Sequence, residues 1–268
     1  MHTNQLSGDV RLTLSQKTRW IVGNFLTGIA GYGSGRSAKF WHPRTVATSD
    51  ASPSRKMIDA FLDETVPHLF PQKDISVFDI GCGTGYIYKR LSALGYHLEY
   101  TGLDVYKRTA FDVNVPRGRF VLSKIEEFKA DQRFDLVISN TCLEHVEDDH
   151  AAVEKALTLG DTQLHILPTF WSLPLYLWHG YRQYTPRSLQ ALFGSRGEIY
   201  RLGGVFSFFA HFIFVTVPQR LRVPLLFRKY GWYSYVCRAA NALDAVLPWM
   251  SVMYVVVIQQ NQPHDSVN

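Results

Sequence analysis

The chain has 268 residues, of which 46% are hydrophobic and 19% are charged, a composition typical of a folding protein and not of a disordered one. Its net charge of +5 favours an anionic partner, such as a nucleic acid, a membrane surface or a phosphorylated substrate. The three cysteines (Cys82, Cys142 and Cys237) are widely spaced and odd in number. This excludes a disulfide framework or a cysteine metal cluster and indicates a reducing compartment.

Residues 1–50 have the pattern of an N-terminal helical extension, with a helix over about 14–30 followed by the Gly/Ser loop GYGSGRSAKF. The stretch 20–33 is apolar enough for a signal-peptide core. However, only three basic residues precede it and Asn24 interrupts it, so secretion is disfavoured. No run reaches the roughly 18 apolar residues of a spanning helix. We therefore expect a cytoplasmic protein.

Residues 51–262 are predicted to form one domain, with 263–268 as a tail. A helix over 54–68 precedes alternating strands and helices, and this alternation indicates a mostly parallel sheet covered on both faces. The helices within this alternation are predicted at 86–94 and 148–159. The seven predicted strands are 75–80, 98–104, 118–123, 134–140, 162–168, 197–203 and 251–259.

The last two predicted strands are separated by an apolar helical insertion, about 204–249. It carries five phenylalanines between 205 and 217, followed by Arg220, Arg222, Arg228, Lys229 and Arg238. Apolar residues at helical spacing over 232–247 predict a helix. An apolar helix bordered by arginine suits contact with a membrane surface through 205–247. A helical subdomain over the sheet, or a dimer interface, is the alternative.

The stretch FDIGCGTG, residues 78–85, places Gly81, Gly83 and Gly85 directly after a predicted strand. Glycines give up side-chain contacts, so a bare backbone is needed there. A nicotinamide fingerprint requires glycine at position 86, which is tyrosine, and the Gly-Lys-Ser/Thr of a P-loop is absent. Asp104 ends the next strand, where an acid accepts hydrogen bonds from a ribose diol. A plain turn and a helix cap are the structural alternatives.

Residues 77–167 resemble the class I S-adenosylmethionine-dependent methyltransferases of the small-molecule and glycan type. Three motifs in order carry the resemblance: VFDIGCGTG, the acidic strand end GLD, and FDLVISNTCLEHVED, which is similar to the LEHV signature of that group. The resemblance implies a Rossmann-like, doubly wound α/β fold and S-adenosylmethionine as the cofactor.

The resemblance also implies where the methionine and ribose parts of the cofactor would lie. Gly81, Gly83 and Gly85 would form the turn under the methionine part. Asp79 would organise that turn or meet the amino group, and Asp104 would hold the ribose hydroxyls.

Further residues are implied around the adenine. Val105 and Tyr106 would flank the ring, and Ile125 would read it through its backbone N–H. Lys124 stands where the family often has an aspartate that contacts the adenine amino group. Asn140 would lie near the methionine moiety, with a structural cap as its alternative.

Methyl transfer to an oxygen requires a base that removes the hydroxyl proton. His145, after the fourth predicted strand, and His179, after the fifth, are candidates, and a structural histidine is the alternative for each. Arg182 would clamp an acceptor carboxylate or phosphate. WHGYRQYTPRSL, which holds His179 and Arg182, is similar to an H-x-R-x-Y/F-T/S stretch of methyltransferases from surface-polysaccharide gene clusters, but is one residue longer.

An acidic run surrounds the first of these histidines. Glu144, Glu147, Asp148 and Asp149 have the residue type of a metal site, but a solvated helix start favoured by the helix dipole is the preferred interpretation. We therefore expect no metal.

The predicted activity is O-methylation of a sugar hydroxyl on a lipid-linked or cell-surface glycan, at the inner face of the membrane. The alternatives are methylation of an apolar acceptor, such as a quinone precursor or a lipid, and a non-catalytic cofactor-binding subunit of a membrane complex. A nucleic-acid substrate is disfavoured because the N/D-P-P-Y/F signature is missing after strand four, which ends in NTCL. The sequence does not indicate an oligomeric state.

Overall fold

The computed structural model describes residues 13–32, 37–44, 46, 50–107, 115–176 and 180–260. Its α-helices are α1 (Leu14–Tyr32), α2 (Pro53–Leu69), α3 (Tyr86–Ala93), α4 (Asp149–Leu159), α5 (Pro186–Phe193), α6 (Val205–His211), α7 (Val217–Arg220) and α8 (Gly231–Asp244). Its strands are β1 (Lys39–Trp41), β2 (Asp74–Ile80), β3 (His97–Asp104), β4 (Gly118–Leu122), β5 (Leu136–Asn140), β6 (Thr162–Pro168), β7 (Glu198–Leu202) and β8 (Met253–Gln259).

The described strands form a single sheet in the order β1-β7-β8-β6-β5-β2-β3-β4. Strand β8 runs antiparallel to both of its neighbours, and all other pairs are parallel. The predicted Rossmann-like, doubly wound α/β fold is confirmed. The chain runs from β2 outward through β3 and β4 and then returns to the other side of β2 with β5. This change of direction creates a crevice at the carboxyl ends of β2 and β5.

The predicted number of seven strands is wrong, because β1 adds an eighth. Its three residues pair in parallel with β7, with Lys39 opposite Tyr200. Trp41 packs edge-on against Phe61 of α2, with ring centroids 5.0 Å apart. A three-residue edge strand directly after a Gly/Ser-rich loop is too short to show a period-2 pattern, and its pairing depends on a strand about 160 residues away.

Each face of the sheet has its own hydrophobic core. Along β2, Ile75 and Val77 pack on one face, and Phe78 and Ile80 pack on the other. Because successive side chains of a strand point to opposite faces, a strand covered on both sides reads as the continuous apolar run seen in the sequence.

Helix α1 packs against the segment that follows β6. The indole Nε1 of Trp20 donates to the carbonyl of Tyr181 at 3.0 Å, and the amide oxygen of Asn24 accepts from the backbone N–H of Gln183 at 2.9 Å. A Cβ on Gly28 would lie 1.9 Å from the Phe170 ring, so glycine is required for this close approach. The helix therefore helps to hold residues 180–185 in place.

The insertion between β7 and β8 consists of α6, a π-helical stretch (Phe212–Thr216), α7, a 3-10 helix (Leu225–Lys229) and α8. The carboxylate of Asp244 in α8 accepts from the first free N–H groups of α6, those of Phe206 (2.8 Å) and Ser207 (3.2 Å). His211 Nδ1 lies 2.9 Å from Ser54 Oγ at the start of α2. No helix among the described residues is long and apolar enough to cross a membrane.

Candidate cofactor and acceptor site

A cleft of about 960 Å³ opens at the carboxyl ends of β2, β3 and β5, at the crevice that the strand order predicts. This size is at the upper end of the range for small-molecule sites, which leaves space for a cofactor and part of an acceptor. Residues from the glycine turn, the ends of three strands, the first turn of α2 and the segment around Tyr181 line it.

The glycine turn requires glycine for two separate reasons. Gly81, Gly83 and Gly85 have φ values of 71°, 53° and 68°, in the left-handed region that other residues rarely adopt. In addition, a Cβ on Gly81 would lie only 2.3 Å from the Sγ of Cys142, so the loop after β5 closes directly onto bare backbone. A plain turn needs no such close approach. Gly81 and Gly83 line the cleft, whereas Gly85 is buried behind it at the start of α3.

Asp104 has its carboxylate fixed by backbone donors. Oδ2 accepts from the N–H of Gly83, and Oδ1 accepts from the N–H of Tyr106, both at 3.0 Å. Each oxygen keeps a second lone pair, so the carboxylate can still accept from two hydroxyls of a ribose. These backbone hydrogen bonds fix the carboxylate in the cleft, and they are compatible with the predicted contact to a ribose.

Asp79 is buried at the end of β2 and also lines the cleft. The hydroxyl of Tyr100 donates to its Oδ2 at 2.5 Å. Burial raises the pKa of Asp79 to about 7, while the hydrogen bond from Tyr100 acts in the opposite direction. A cationic ligand group in the cleft would favour the ionised form.

The residues predicted to flank adenine line the cleft, and their contact with the base stays a prediction. Val105, which is half exposed, lines the cleft together with Tyr106, Lys124 and Ile125. Ile125 begins a short 3-10 helix and is buried. A half-exposed valine beside an aromatic ring is suited to covering a planar base, since contact with the base would bury the apolar surface.

Asn140 lines the cleft where β5 ends, and its Oδ1 is buried without a hydrogen-bond partner. The following residue, Thr141, has φ 50°, which is unfavourable for a β-branched side chain. Its N–H donates to the carbonyl of Ile166 at 2.9 Å, which holds this strained turn in place. An unsatisfied buried acceptor is costly, so Oδ1 is expected to receive a donor from a ligand.

Arg55 is a residue that the sequence analysis missed. It lies in the first turn of α2, after the Ser52 cap and Pro53, and it lines the cleft opposite the glycine turn. Its Nη1 is buried without a partner, and its guanidinium lies 4.0 Å from the centroid of the Tyr86 ring. Burial lowers the pKa of Arg55, an effect that the charge of Asp59 opposes. The Ser-Pro helix start could have placed Arg55, but nothing in the sequence indicates which element it faces.

His145 lines the cleft at the end of a short 3-10 helix, Leu143–His145. The preceding Glu144 is fully buried, and burial raises its pKa to about 8. Its carbonyl accepts from the N–H of Tyr181 at 2.5 Å, and Gly180 approaches it so closely that a Cβ would lie 2.5 Å away. The helix with His145 and the segment after β6 are therefore joined at the cleft.

Arg182 is placed differently from the prediction. Its guanidinium pairs with the carboxylate of Asp149 and donates to the carbonyl of Glu147 at 2.6 Å, and it is not among the residues that line the cleft. The predicted acceptor clamp is therefore directed at the start of α4, because the carboxylate that pairs with it lies on the neighbouring helix. His179 lies outside the described residues.

The acidic run around His145 is dispersed by the fold. Asp148 caps α4 by accepting from the N–H of Ala151 at 2.9 Å, Asp149 pairs with Arg182, and Glu144 points into the protein. Among the residues that the structure describes, no group of three or more side chains is arranged to hold a metal ion.

These residues fit S-adenosylmethionine without rearrangement of the fold. Its amino-acid part carries an ammonium and a carboxylate, and the cleft offers a buried acceptor on Asn140 and a buried donor on Arg55, both without partners. The carboxylate of Asp104 matches the ribose diol. The amino-acid end and the ribose of the cofactor thus each have a complementary group in the cleft.

Residues 54–173 match a family model described as a methyltransferase domain. Among curated proteins, the malonyl-[acyl-carrier protein] O-methyltransferase of Acetivibrio thermocellus is 32% identical over 111 residues, which cover 39% of this chain and 38% of that protein. The ubiquinone biosynthesis O-methyltransferase of Rickettsia bellii is 26% identical over 96 residues, covering 34% of this chain and 40% of that protein. The chain thus spans about two fifths of the length of these relatives.

Two solved structures share the fold. The plantazolicin methyltransferase BpumL, in complex with a triazolic desmethylPZN analog and S-adenosylhomocysteine (SAH), has a TM-score of 0.51 at 15% identity, with 78% of this chain and 86% of that chain covered. The [4+2]-cyclase SpnF has a TM-score of 0.52 at 17% identity, with 94% and 98% covered. Proteins named for different reactions share this fold, so the reaction must be argued from site residues.

The matched domain, the strand order and the cofactor cleft agree with one another. Residues 54–173 of this chain therefore form a methyltransferase domain, with the fold and the cofactor cleft of the class I S-adenosylmethionine-dependent methyltransferases.

Proposed function

We propose that the protein transfers a methyl group from S-adenosylmethionine to an oxygen acceptor, a sugar hydroxyl of a lipid-linked or cell-surface glycan, at the inner face of the membrane. The observation that supports methyl transfer is that one cleft contains His145 together with two buried atoms that lack hydrogen-bond partners, Arg55 Nη1 and Asn140 Oδ1. The first two match the amino-acid end of the cofactor. His145 supplies a titratable group in the same space.

When bound, S-adenosylmethionine supplies an electrophilic methyl group whose transfer to a hydroxyl oxygen leaves S-adenosylhomocysteine, a methyl ether and a proton. The protein's task is then to align the hydroxyl with the methyl carbon and to accept that proton. His145 in its neutral form is the proposed base, since imidazole titrates near neutral pH. The strained turn at Thr141 and the buried Glu144, which both precede it in the chain, fix the backbone that carries it.

Two observations favour an oxygen acceptor. Both curated relatives are named as O-methyltransferases, and the described residues of the cleft include a histidine that can act as base. The basic charge of the chain suits an acceptor with a phosphate, as lipid-linked sugars have. A quinone precursor or lipid is the second candidate, because the apolar insertion is hydrogen-bonded to the start of α2 beside the cleft.

The test is a transfer assay with methyl-labelled S-adenosylmethionine and three acceptor classes: a polyprenyl-phosphate-linked sugar, a water-soluble sugar nucleotide and a quinone precursor. Transfer only to the first supports the glycan proposal, and transfer only to the third supports the second candidate. His145→Gln should lower kcat by a factor of about 10² to 10⁴ while cofactor affinity stays within about twofold. His150→Gln, at an exposed position in α4, is the matched control. Cofactor binding without transfer to any acceptor would instead support the non-catalytic subunit.

A further inference from the structure

Helix α8 exposes a stripe of apolar and aromatic side chains and buries several polar ones. Its exposed apolar residues recur at helical spacing and form, with Val246 in the turn after the helix, an outer stripe of Trp232, Tyr235, Ala239, Ala242, Leu243 and Val246. Tyr235 and Val246 are 67% and 75% exposed. The inner face buries Ser234, Asn241 and Asp244 beside Tyr233, Cys237 and Ala240. A surface helix normally exposes mostly polar side chains, so the outer stripe is a candidate contact surface.

The outer stripe continues into the neighbouring segments of the insertion. The segment between α7 and α8, which includes the 3-10 helix, exposes Leu221, Val223, Leu226 and Tyr230, and the chain after α8 exposes Leu247 and Trp249. Tryptophan and tyrosine are the side chains that favour the boundary between water and the lipid headgroups.

The charges around this surface have a single sign. Between residues 203 and 252, all of which the structure describes, the basic residues at the surface are Arg220, Arg222, Lys229 and Arg238, with Arg228 partly buried. The only acidic residue in this range is Asp244, which is fully buried. The surface is therefore apolar, aromatic and positive, with no exposed carboxylate.

We propose that this surface, made of the outer stripe of α8 and the loop before it, docks on the anionic lipid headgroups of a membrane. Phosphate groups complement the arginines and the lysine, while the aromatic and aliphatic side chains enter the boundary between headgroups and acyl chains. A second copy of the chain would bring two positive surfaces together, and this repulsion disfavours a symmetric dimer. The inference extends the proposed function by naming the partner that the insertion contacts.

Two hydrogen bonds connect the docking surface to the chain segment before α2, which borders the cleft. Arg228 Nε donates to the carbonyl of Asp50 at 2.7 Å, and the Tyr233 hydroxyl donates to the carbonyl of Ala51 at 2.9 Å. Both contacts precede α2, whose first turn carries Arg55 into the cleft. A membrane in contact with the insertion would thus lie near the start of α2. An acceptor anchored in lipid would enter the cleft from that side.

The test is sedimentation of the 268-residue chain with vesicles, which requires neither cofactor nor acceptor. Wild type is expected to bind vesicles with 30% phosphatidylglycerol at least tenfold more tightly than vesicles of pure phosphatidylcholine. The triple variant Tyr235→Ser, Leu243→Ser and Val246→Ser should lose tenfold or more in affinity. Arg220→Gln combined with Lys229→Gln should lose a similar factor, and high salt should reduce the difference between the two kinds of vesicle.

The matched control is Val22→Ser, Leu26→Ser and Ile29→Ser on α1, which also exposes an apolar stripe but lies outside the proposed surface. It should bind vesicles as wild type does. All variants replace exposed side chains, and their unfolding temperatures verify that they fold. Equal loss in the α1 variant, or no preference of wild type for anionic vesicles, would overturn the proposal. A wild-type dimer in ultracentrifugation that dissociates in the α8 variant would also overturn it, and would identify a subunit interface instead.

Discussion

The guanidinium of Arg55 lies over the ring of Tyr86, with its central carbon 4.0 Å from the ring centroid. Tyr86 is the position at which the glycine motif departs from a nicotinamide fingerprint. In the structure its ring is a platform for a cation, and its hydroxyl is hydrogen-bonded to Asp59 of the same helix as Arg55. The tyrosine that excludes the nicotinamide motif therefore has a role of its own, because its ring holds the guanidinium of Arg55 in the cleft.

Arg55→Gln should weaken the binding of S-adenosylmethionine and SAH by about tenfold or more, because a charge-assisted hydrogen bond to the carboxylate is lost. Binding of 5′-methylthioadenosine, which lacks the amino-acid part, should be unchanged. Calorimetric titration with all three ligands measures both effects. Arg119→Gln, an exposed arginine 3.4 Å from Asp131, serves as the control. Equal loss for all three ligands would mean that Arg55 acts by supporting the fold around Tyr86.

Asp104→Ala should weaken both S-adenosylmethionine and its demethylated product by about tenfold or more, equivalent to about 1.4 kcal/mol. The variant loses the ribose acceptor and also the acceptor for the N–H groups of Gly83 and Tyr106. Asp74→Ala, at the opposite end of β2 and well exposed, should bind as wild type. If Asp104→Ala bound both compounds normally, the assignment of this cleft to the cofactor would have to be abandoned.

Two glycines with similar φ values separate the cost of backbone strain from the cost of a clash. Gly95 has φ 82°, and a Cβ added to it would meet no atom within 4 Å, so Gly95→Ala should lower the free energy of unfolding by about 1–2 kcal/mol. Gly81→Ala adds a contact of 2.3 Å with Cys142 and should cost more, with a loss of cofactor binding. Denaturant unfolding of both variants tests this. Equal costs would show that the Cys142 loop moves aside freely.

Cofactor affinity should depend on the ionisation of Asp79, whose pKa burial raises to about 7. The ionised form attracts the cofactor's ammonium, so affinity should fall as the pH drops from 8 to 6. Tyr100→Phe removes the hydrogen bond that favours the ionised form and should move the midpoint to higher pH. Titrations at several pH values give both curves. Superimposable curves for the two proteins would contradict the role of Asp79.

Glu144 should make the fold less stable as the pH rises. Burial raises its folded-state pKa to about 8, above the value of about 4.3 expected in the unfolded chain. Between these values the unfolded state is ionised and the folded state retains the proton, so the stabilisation present in acid is lost progressively up to about pH 8. Glu144→Gln should flatten this decline, as measured by urea unfolding from pH 5 to 8. An unchanged slope would place the titration elsewhere.

The part of the fold from β2 to β6 could be predicted because its signals are local. Apolar runs, a glycine turn and acidic strand ends lie next to one another in the sequence, and they led to Asp79, Asp104 and Asn140, all of which line the cleft. Parallel strands place consecutive carboxyl ends at one edge, so these residues meet without any knowledge of packing.

The remainder depends on contacts between distant segments. Arg55 enters the cleft only because α2 packs across the sheet, and Arg182 pairs with Asp149 from a neighbouring helix. No sequence motif indicates the position of Arg55 or the pairing of Arg182. Strand β1 was missed for the same reason, since three residues become a strand only when β7 is beside them.

Strands β7 and β8 are antiparallel neighbours, with Leu202 opposite Met253, so the insertion of about 50 residues leaves the sheet and returns to it at the same place. The gap that its ends must span is about 5 Å, which a short hairpin turn would also close. Because the entropy of loop closure changes slowly with length, the length of this segment can change at little entropic cost to the sheet. The constraint on a replacement segment is therefore its packing on α2, such as the contact of His211 with Ser54, and not the closure of the chain between the two strands.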